Sequence, residues 1–194
     1  MDPSQVNRLA AFKTSLGDDA LLLRSFGGEE QLSRPFSYQV ELSSADGALD
    51  LGEIVGKPAG IRMDLGRRGT RYFHGFISRA SQLPADGAGG RYRVEMVPWL
   101  WFLTRTSDCR IFQEMTAMEI VEKVFKDFGF TDYKLKTSRT YRTLEYCVQY
   151  RETAFNFVSR LLELEGVTYY FEHTEDKHLL VLADSPSGHA PVER

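Results

Sequence analysis

Cysteine is scarce in this chain. Only Cys109 and Cys147 occur, far apart and in no CxxC pair, which excludes a disulfide-built scaffold and the common zinc-ribbon spacings. The expectation is a reduced chain with two buried thiols. Long apolar runs are missing too: nothing approaches the roughly 20 residues of a membrane-spanning helix. The start, MDPSQVNRLAAFKTSL, has no basic head leading into an apolar stretch, so it reads as carrying no secretory signal. There is no Walker loop, no G-x-G-x-x-G and no G-x-S-x-G. The Gly-rich stretch Gly87–Gly90 lacks the following helix that would place a phosphate at its N-terminus. No internal repeat and no low-complexity segment stands out. A net charge of −3 argues neither for general nucleic-acid affinity nor against a local basic face.

What is present is aromatic: 13 Phe, 9 Tyr and 2 Trp in 194 residues, enough to build a core from large side chains. The first half reads as β. Phe36, Tyr38, Val40 and Leu42 alternate with polar residues, as do Tyr92, Val94 and Met96, the two-residue period of half-buried strands. Leu21 to Gly28 is another strand candidate, with Gly27-Gly28 as a break or bulge. Ala59 to Leu65 and Tyr72 to Arg79 flank Gly66-Arg67-Arg68-Gly69 as a hairpin, and Pro84 to Gly90 reads as a hairpin tip. Leu51 to Val55 is at most a helical turn. Short strands at this spacing predict a small antiparallel barrel or sandwich.

The pattern changes near residue 105. Thr116-Ala-Met-Glu119 spells a capping box. Behind it Ala117, Ile120, Val121, Val124, Phe125 and Phe128 form one helical stripe, ended by Gly129. Strands follow at Tyr133 to Thr137 and Glu145 to Tyr150. A second helix from Thr153 is expected to bury Phe155, Val158, Leu161 and Leu162 and to stop at Gly166. Val167 to His173 and His178 to Asp184 then make a hairpin around Thr174–Lys177. The run Pro98 to Leu103 is bulky on both faces, suited to a core or to a subunit contact.

Chemical motifs are few. His173 and His178 flank a four-residue turn and can approach each other, with Glu172 adjacent, but a metal needs three or four converging ligands. His74 and His189 read as solvated or hydrogen-bonded side chains. Asp184, Ser185 and His189 contain triad letters in a tail without an oxyanion hole. Cys147 sits within a strand as an inert thiol. Glu163 and Glu165, and Glu29-Glu30, read as solvated carboxylates. Lys123 to Arg142 holds six Lys/Arg against two Asp with interleaved rings, a pattern for nucleic acid, although helix packing already claims Phe125 and Phe128. The residues therefore point to no enzyme, and to no catalytic, cofactor-binding or metal residue.

Several phrases together resemble one family. They are Gln31 to Leu42 (QLSRPFSYQVEL), His74-Gly75-Phe76, Ser107 to Gln113 (SDCRIFQ) and the 39 residues from Cys147 to Ser185, CVQYRETAFNFVSRLLELEGVTYYFEHTEDKHLLVLADS. In content and order they are similar to the valine-glycine repeat protein G (VgrG) family of type VI secretion spikes, over about Leu21 to Ser185. The resemblance implies a phage tail hub-like fold, α+β and β-rich: an antiparallel β-barrel, an α+β segment with two main helices, and a C-terminal β-hairpin. It assigns 1–105 to the first barrel of the hub-like head, 106–166 to the α+β segment, and 167–194 to a hairpin beginning an incomplete second barrel, plus a tail.

It also implies a structural, non-enzymatic role: a homotrimeric head that adapts the spike to the hexameric tube of haemolysin-coregulated protein (Hcp). Baseplate components and spike-borne effectors are implied as further partners, and the target membrane only through a needle region absent here. No nucleic acid and no cofactor are implied. Such a chain resides in the bacterial cytoplasm before firing and leaves on the spike. The sequence is short for a whole head and contains nothing like the OB domain or the needle, as a truncated gene or an expressed piece would be. The alternative is the baseplate hub of a phage or tailocin. Less favoured are a hydrolase using His173, His178 or the Asp184–His189 tail, and a nucleic-acid-binding domain using Lys123 to Arg142.

Overall fold

A computed structural model describes residues 4–84 and 89–189; the centre of the expected Pro84–Gly90 hairpin tip lies outside the described residues. The chain forms two compact units, one of Met1–Glu30, Pro35–Pro98 and His173–His178, the other of Gln31–Arg34, Trp99–Glu172 and Leu179–Arg194.

The first unit is a six-stranded antiparallel sheet. Its strands are β1 (Ala10–Lys13), β2 (Leu22–Glu29), β3 (Ser37–Ser44), β4 (Pro58–Asp64), β5 (Thr70–Leu83) and β6 (Gly90–Val97), in the order β1-β4-β5-β6-β3-β2. Alternation builds the core: Tyr38 pairs with Met96, Val40 with Val94 and Leu42 with Tyr92, and all six are buried. Each such side chain stabilises by about 1.5–3 kcal/mol on burial. Register shifts at Leu23/Ser25 and Ile77/Arg79 add twist, and the sheet curls into a half-barrel. Between its two edge strands one side chain replaces the missing ladder. Gln5, 4% exposed, accepts from the amides of Phe12 (2.9 Å) and Leu23 (2.9 Å) and donates to the carbonyls of Phe12 and Leu21, each at 3.1 Å.

The expected break at Gly27-Gly28 is absent. β2 runs through both glycines, and its irregularity lies earlier, at Leu23/Ser25. Gly28 is needed for another reason. It faces Tyr38 across the strand pair, and a Cβ there would lie 2.4 Å from the Tyr38 ring and 2.4 Å from the Ser37 carbonyl oxygen.

In the second unit β7 (Ser107–Thr116) pairs antiparallel with β9 (Thr143–Thr153). β8 (Tyr133–Lys136), β10 (Thr168–His173) and β11 (His178–Ala183) form a sheet in the order β10-β11-β8, with β8 and β11 parallel. The strand ends His173 and His178, with the turn between them, belong to the first unit. Helix α1 (Ala117–Asp127) starts on the expected capping box, Thr116 Oγ1 accepting from the Glu119 amide at 3.2 Å and Glu119 accepting from the Thr116 amide at 2.7 Å. Helix α2 (Ala154–Leu164) is capped by Thr153. Gly129 (φ 78°) and Gly166 (φ 63°) follow them in the left-handed region.

Two expectations fail in this unit. The buried phenylalanine of α2 is Phe157, stacked on Phe112 at 5.4 Å, and Phe155 is only half-buried. Ala154, Phe157, Val158 and Leu161 share one face at i, i+3, i+4, i+7, which places position 155 on the flank. Of the two thiols Cys147 is buried but Cys109 is exposed: residues 109 and 111 point away from the face that carries Phe112. That outer face also leaves Ile111, Tyr146 and Tyr150 exposed. In the run Pro98 to Leu103, Trp99, Leu100 and Leu103 are buried in a 3₁₀ turn, and Trp99 stacks on Phe130 at 4.8 Å.

Candidate functional site

Strand β5 carries His74 inside the first unit, 6% exposed, and the hairpin turn brings His173 and His178 to it. The expected approach of His173 to His178 is present, with ring centroids 6.1 Å apart. The closer partner of both is His74. Its backbone amide donates to His173 Nδ1 at 3.1 Å, and its Nδ1 lies 3.0 Å from His178 Nδ1. Phe36 packs against both hairpin rings, at 5.0 Å from His173 and 5.4 Å from His178, and Phe76 lies edge-on to His178 at 5.9 Å.

Donor and acceptor roles follow from these contacts. Because His173 Nδ1 accepts an N–H, the proton of the neutral ring is on Nε2. Nε2 faces the Tyr38 hydroxyl at 3.3 Å, and that hydroxyl donates to Glu30 Oε1 at 2.6 Å. The chain runs in one direction, from imidazole through phenol to carboxylate. Between His74 and His178 one Nδ1 holds a hydrogen and the other a lone pair. Burial, followed by repulsion from His74 and His173, pulls His178 down to about 2. Burial also lowers His173, against the pull of Glu30. Burial, then the hydrogen bond to Glu30 and its charge, pushes the Tyr38 phenol up. At neutral pH His173, His178 and Tyr38 are therefore uncharged, and both His173 nitrogens, His178 Nδ1 and the Tyr38 hydroxyl are engaged within the set that also holds Glu30 and His74.

Beside the cluster runs a cleft lined by Lys13, Thr14, Gly60, His74, Glu175 and Asp176. Among the described residues no group of three or more His, Cys, Asp or Glu is placed to hold a metal. Glu172 takes no part in the cluster; it faces Lys136 at 3.5 Å. The letters of a triad are dispersed. Asp184 accepts from the Ser138 and Arg139 amides, each at 2.9 Å, and from the Tyr141 hydroxyl at 3.0 Å, and these bonds hold its carboxyl down to about 2. Ser185 Oγ faces Ser187 at 3.0 Å, and His189 faces Thr168 at 3.2 Å. Burial pushes the Cys147 thiol up, which keeps it protonated.

Within the basic stretch Lys123 pairs with Asp127, Lys126 with Glu122, Lys136 with Tyr170 and Glu172, and Arg139 with Asp184. Four of its cations are thus engaged within the second unit. Sequence reasoning pairs the two hairpin histidines but does not reach His74, Tyr38 or Glu30. The one signal for His74 is the phrase His74-Gly75-Phe76, which carries no chemistry by itself.

The curled antiparallel sheet and the α+β unit set the class: a β-rich α+β module. The family model for the phage tail baseplate hub (GPD) matches residues 29–194, and the chain belongs to that family. It is 47% identical over 195 residues to the type VI secretion system spike protein VgrG1c of Pseudomonas aeruginosa, covering 97% of this chain and 27% of that protein. The chain thus spans about a quarter of that relative's length.

Among solved structures it resembles the E. coli c3393 protein, a component of the type VI secretion system with structural similarity to the T4 bacteriophage tail proteins gp27 and gp5. The TM-score is 0.85 at 27% identity, over 93% of this chain and 50% of that one. The tail protein of Neisseria meningitidis MC58 shares the fold, with a TM-score of 0.62 at 13% identity, over 90% of this chain and 50% of that one.

Proposed function

We propose that this chain is part of the hub-like head of a type VI secretion spike, a structural element that adapts a trimeric spike to the hexameric Hcp tube. The observation that carries the reading is 47% identity to a spike protein over 97% of the chain. In this reading 1–105 is the first barrel of the head, 106–166 the α+β segment, and 167–194 a hairpin that begins a second barrel, plus a tail. The whole protein assembles as a homotrimer and meets Hcp, baseplate components and effectors. It waits in the cytoplasm and leaves the cell on the spike. The exposed face of Ile111, Tyr146 and Tyr150 suits such assembly, since apolar and aromatic surface favours subunit contacts. No residue is assigned a catalytic, metal-binding or cofactor-binding role.

The test is deletion of the gene and complementation with the full-length protein, reading Hcp in the culture medium, together with light scattering of the purified full-length protein. Restored Hcp export and a trimer support the reading. Normal Hcp export in the deletion strain, with no second spike gene expressed, counts against it. So does a gene neighbourhood of capsid and terminase genes without sheath, tube and secretion ATPase, which favours a phage hub.

A further inference from the structure

We propose that His74, His173 and His178 form an acid-release latch: the neutral imidazoles hold the turn Thr174–Lys177 on strand β5, and protonation of the hairpin histidines sets it free. The latch does not depend on the spike reading. His173 and His178 flank the turn, and the Nδ1 atoms of both reach one residue of β5, His74, by its amide at 3.1 Å and by its ring at 3.0 Å.

The first of these bonds exists only while His173 Nδ1 keeps its lone pair. Adding a proton there turns an acceptor into a donor facing the His74 N–H, and the bond becomes a repulsion. A proton added to the His74–His178 pair puts a cation beside the Phe36 and Phe76 rings, on imidazoles that are at most 6% exposed.

The surrounding charges offer little relief. After β2, Glu30 already accepts from Tyr38 at 2.6 Å and faces Arg71 at 3.9 Å. On β3 the ionisable group that meets the cluster is the neutral Tyr38 phenol, while Glu41 pairs with Arg91 and Arg93. On β5 Arg71 carries the same sign as an imidazolium and lies over the Phe73 ring at 4.7 Å. From β1, Lys13 pairs with Glu175 and Asp176 of the turn, both at 3.9 Å, and Lys177 is the turn's own cation. Those exposed pairs are weak fastenings.

The turn itself does not depend on the cluster. Thr174 N donates to the Lys177 carbonyl at 2.9 Å, and Lys177 N to Thr174 Oγ1 at 3.3 Å. It can therefore leave β5 as a folded unit while the β3–β6 core stays intact.

The test is an NMR titration of the full chain from pH 7.5 to 4, following the histidine ring signals and the amide exchange of His74. Exchange rates are corrected for the intrinsic effect of pH. The expected result is a tenfold or greater loss of His74 amide protection as the His173 ring titrates, with β3 and β6 amides still protected. The double variant H173Q/H178Q keeps an acceptor at each site but cannot titrate there, and it is expected to lose this response. Constant His74 protection down to pH 4 overturns the proposal. So does loss of His74 protection together with that of β3 and β6 in one global transition, or a full wild-type response in the double variant.

Discussion

His74 and His178, 104 residues apart in sequence, place their Nδ1 atoms 3.0 Å from each other inside the first unit. One of the two nitrogens must carry the hydrogen and the other must lack it, so the contact is available only to rings that are not both fully protonated. His173 shares the same neighbour through the His74 amide. Three of the chain's four histidines are thereby buried or half-buried and tied to one strand position.

Stability should fall with acid over a defined window. His178 sits at about 2 when folded against 6.5 as its ordinary value. Below pH 6.5 the unfolded chain takes up a proton that the folded chain refuses while the turn is docked, so the stability of the docked form is full above 6.5 and is lost progressively toward about 2. At pH 5 this group alone costs about 2 kcal/mol relative to neutral pH. The lowering of His173 acts in the same direction. Urea unfolding at pH 7.5, 6 and 5 measures the slope, and H178Q should flatten it; equal slopes would contradict the assignment.

Gln5 should behave as a structural bond rather than a surface residue. Its amide serves two N–H groups and two carbonyls on β1 and around the start of β2. Truncation to alanine leaves these groups without that partner inside the sheet edge. The expected loss is about 2 kcal/mol or more, seen as a lower urea midpoint. Amide exchange at Phe12 and Leu23 should speed up most. A stability within experimental error of wild type would show that the edges do not rely on this side chain.

The two adjacent glycines should respond differently to the same change. Gly28→Ala puts a Cβ 2.4 Å from Tyr38 and from the Ser37 carbonyl, whereas Gly27→Ala meets nothing within 4 Å. The first is expected to destabilise by about 1–3 kcal/mol through forced displacement of Tyr38, and the second to stay within about 0.5 kcal/mol. Thermal melts of both variants decide the point, and near-UV circular dichroism reports the tyrosine environment. Equal effects would mean that Tyr38 does not need the space.

Asp184→Asn should loosen the segment that follows β8. The carboxylate holds the Ser138 and Arg139 amides and the Tyr141 hydroxyl. An amide in its place turns an NH₂ group toward donors. Amide exchange at Ser138 and Arg139 should accelerate, with a lower melting temperature at pH 7. The difference between variant and wild type should narrow only as pH falls from 3.8 to about 2, where the native carboxyl takes up its proton. A difference that vanished already at pH 5 would argue that another group governs it.

Much of this architecture is legible in the chain itself. Tyr38, Val40 and Leu42, and Tyr92, Val94 and Met96, reveal their buried face because one side meets the core and the other meets water. Thr116 and Thr153 mark helix starts through local hydrogen bonds, which need no distant partner. Strand β7 is not legible because exposed Ile111 and buried Phe112 are both apolar, and Arg110 and Glu114 stand two residues either side of Phe112, so no two-residue period shows. Strand β1 is four residues long, too short for a period to register. Phe155 and Phe157 are confused by a rotation of a helix whose ends are correctly placed.

The site is legible only in part, as the two histidines that flank a turn. Local patterning determined the strands with a clear period, the helices, their caps and the final hairpin, because those depend on neighbours within a few residues. The tertiary structure alone decided that Gln5 bridges the sheet edges, that Gly28 makes room for Tyr38, and that His74 meets His173 and His178. These contacts join residues 7 to 104 positions apart, and a polar side chain's partner is set by how the sheet curls, which no local period encodes.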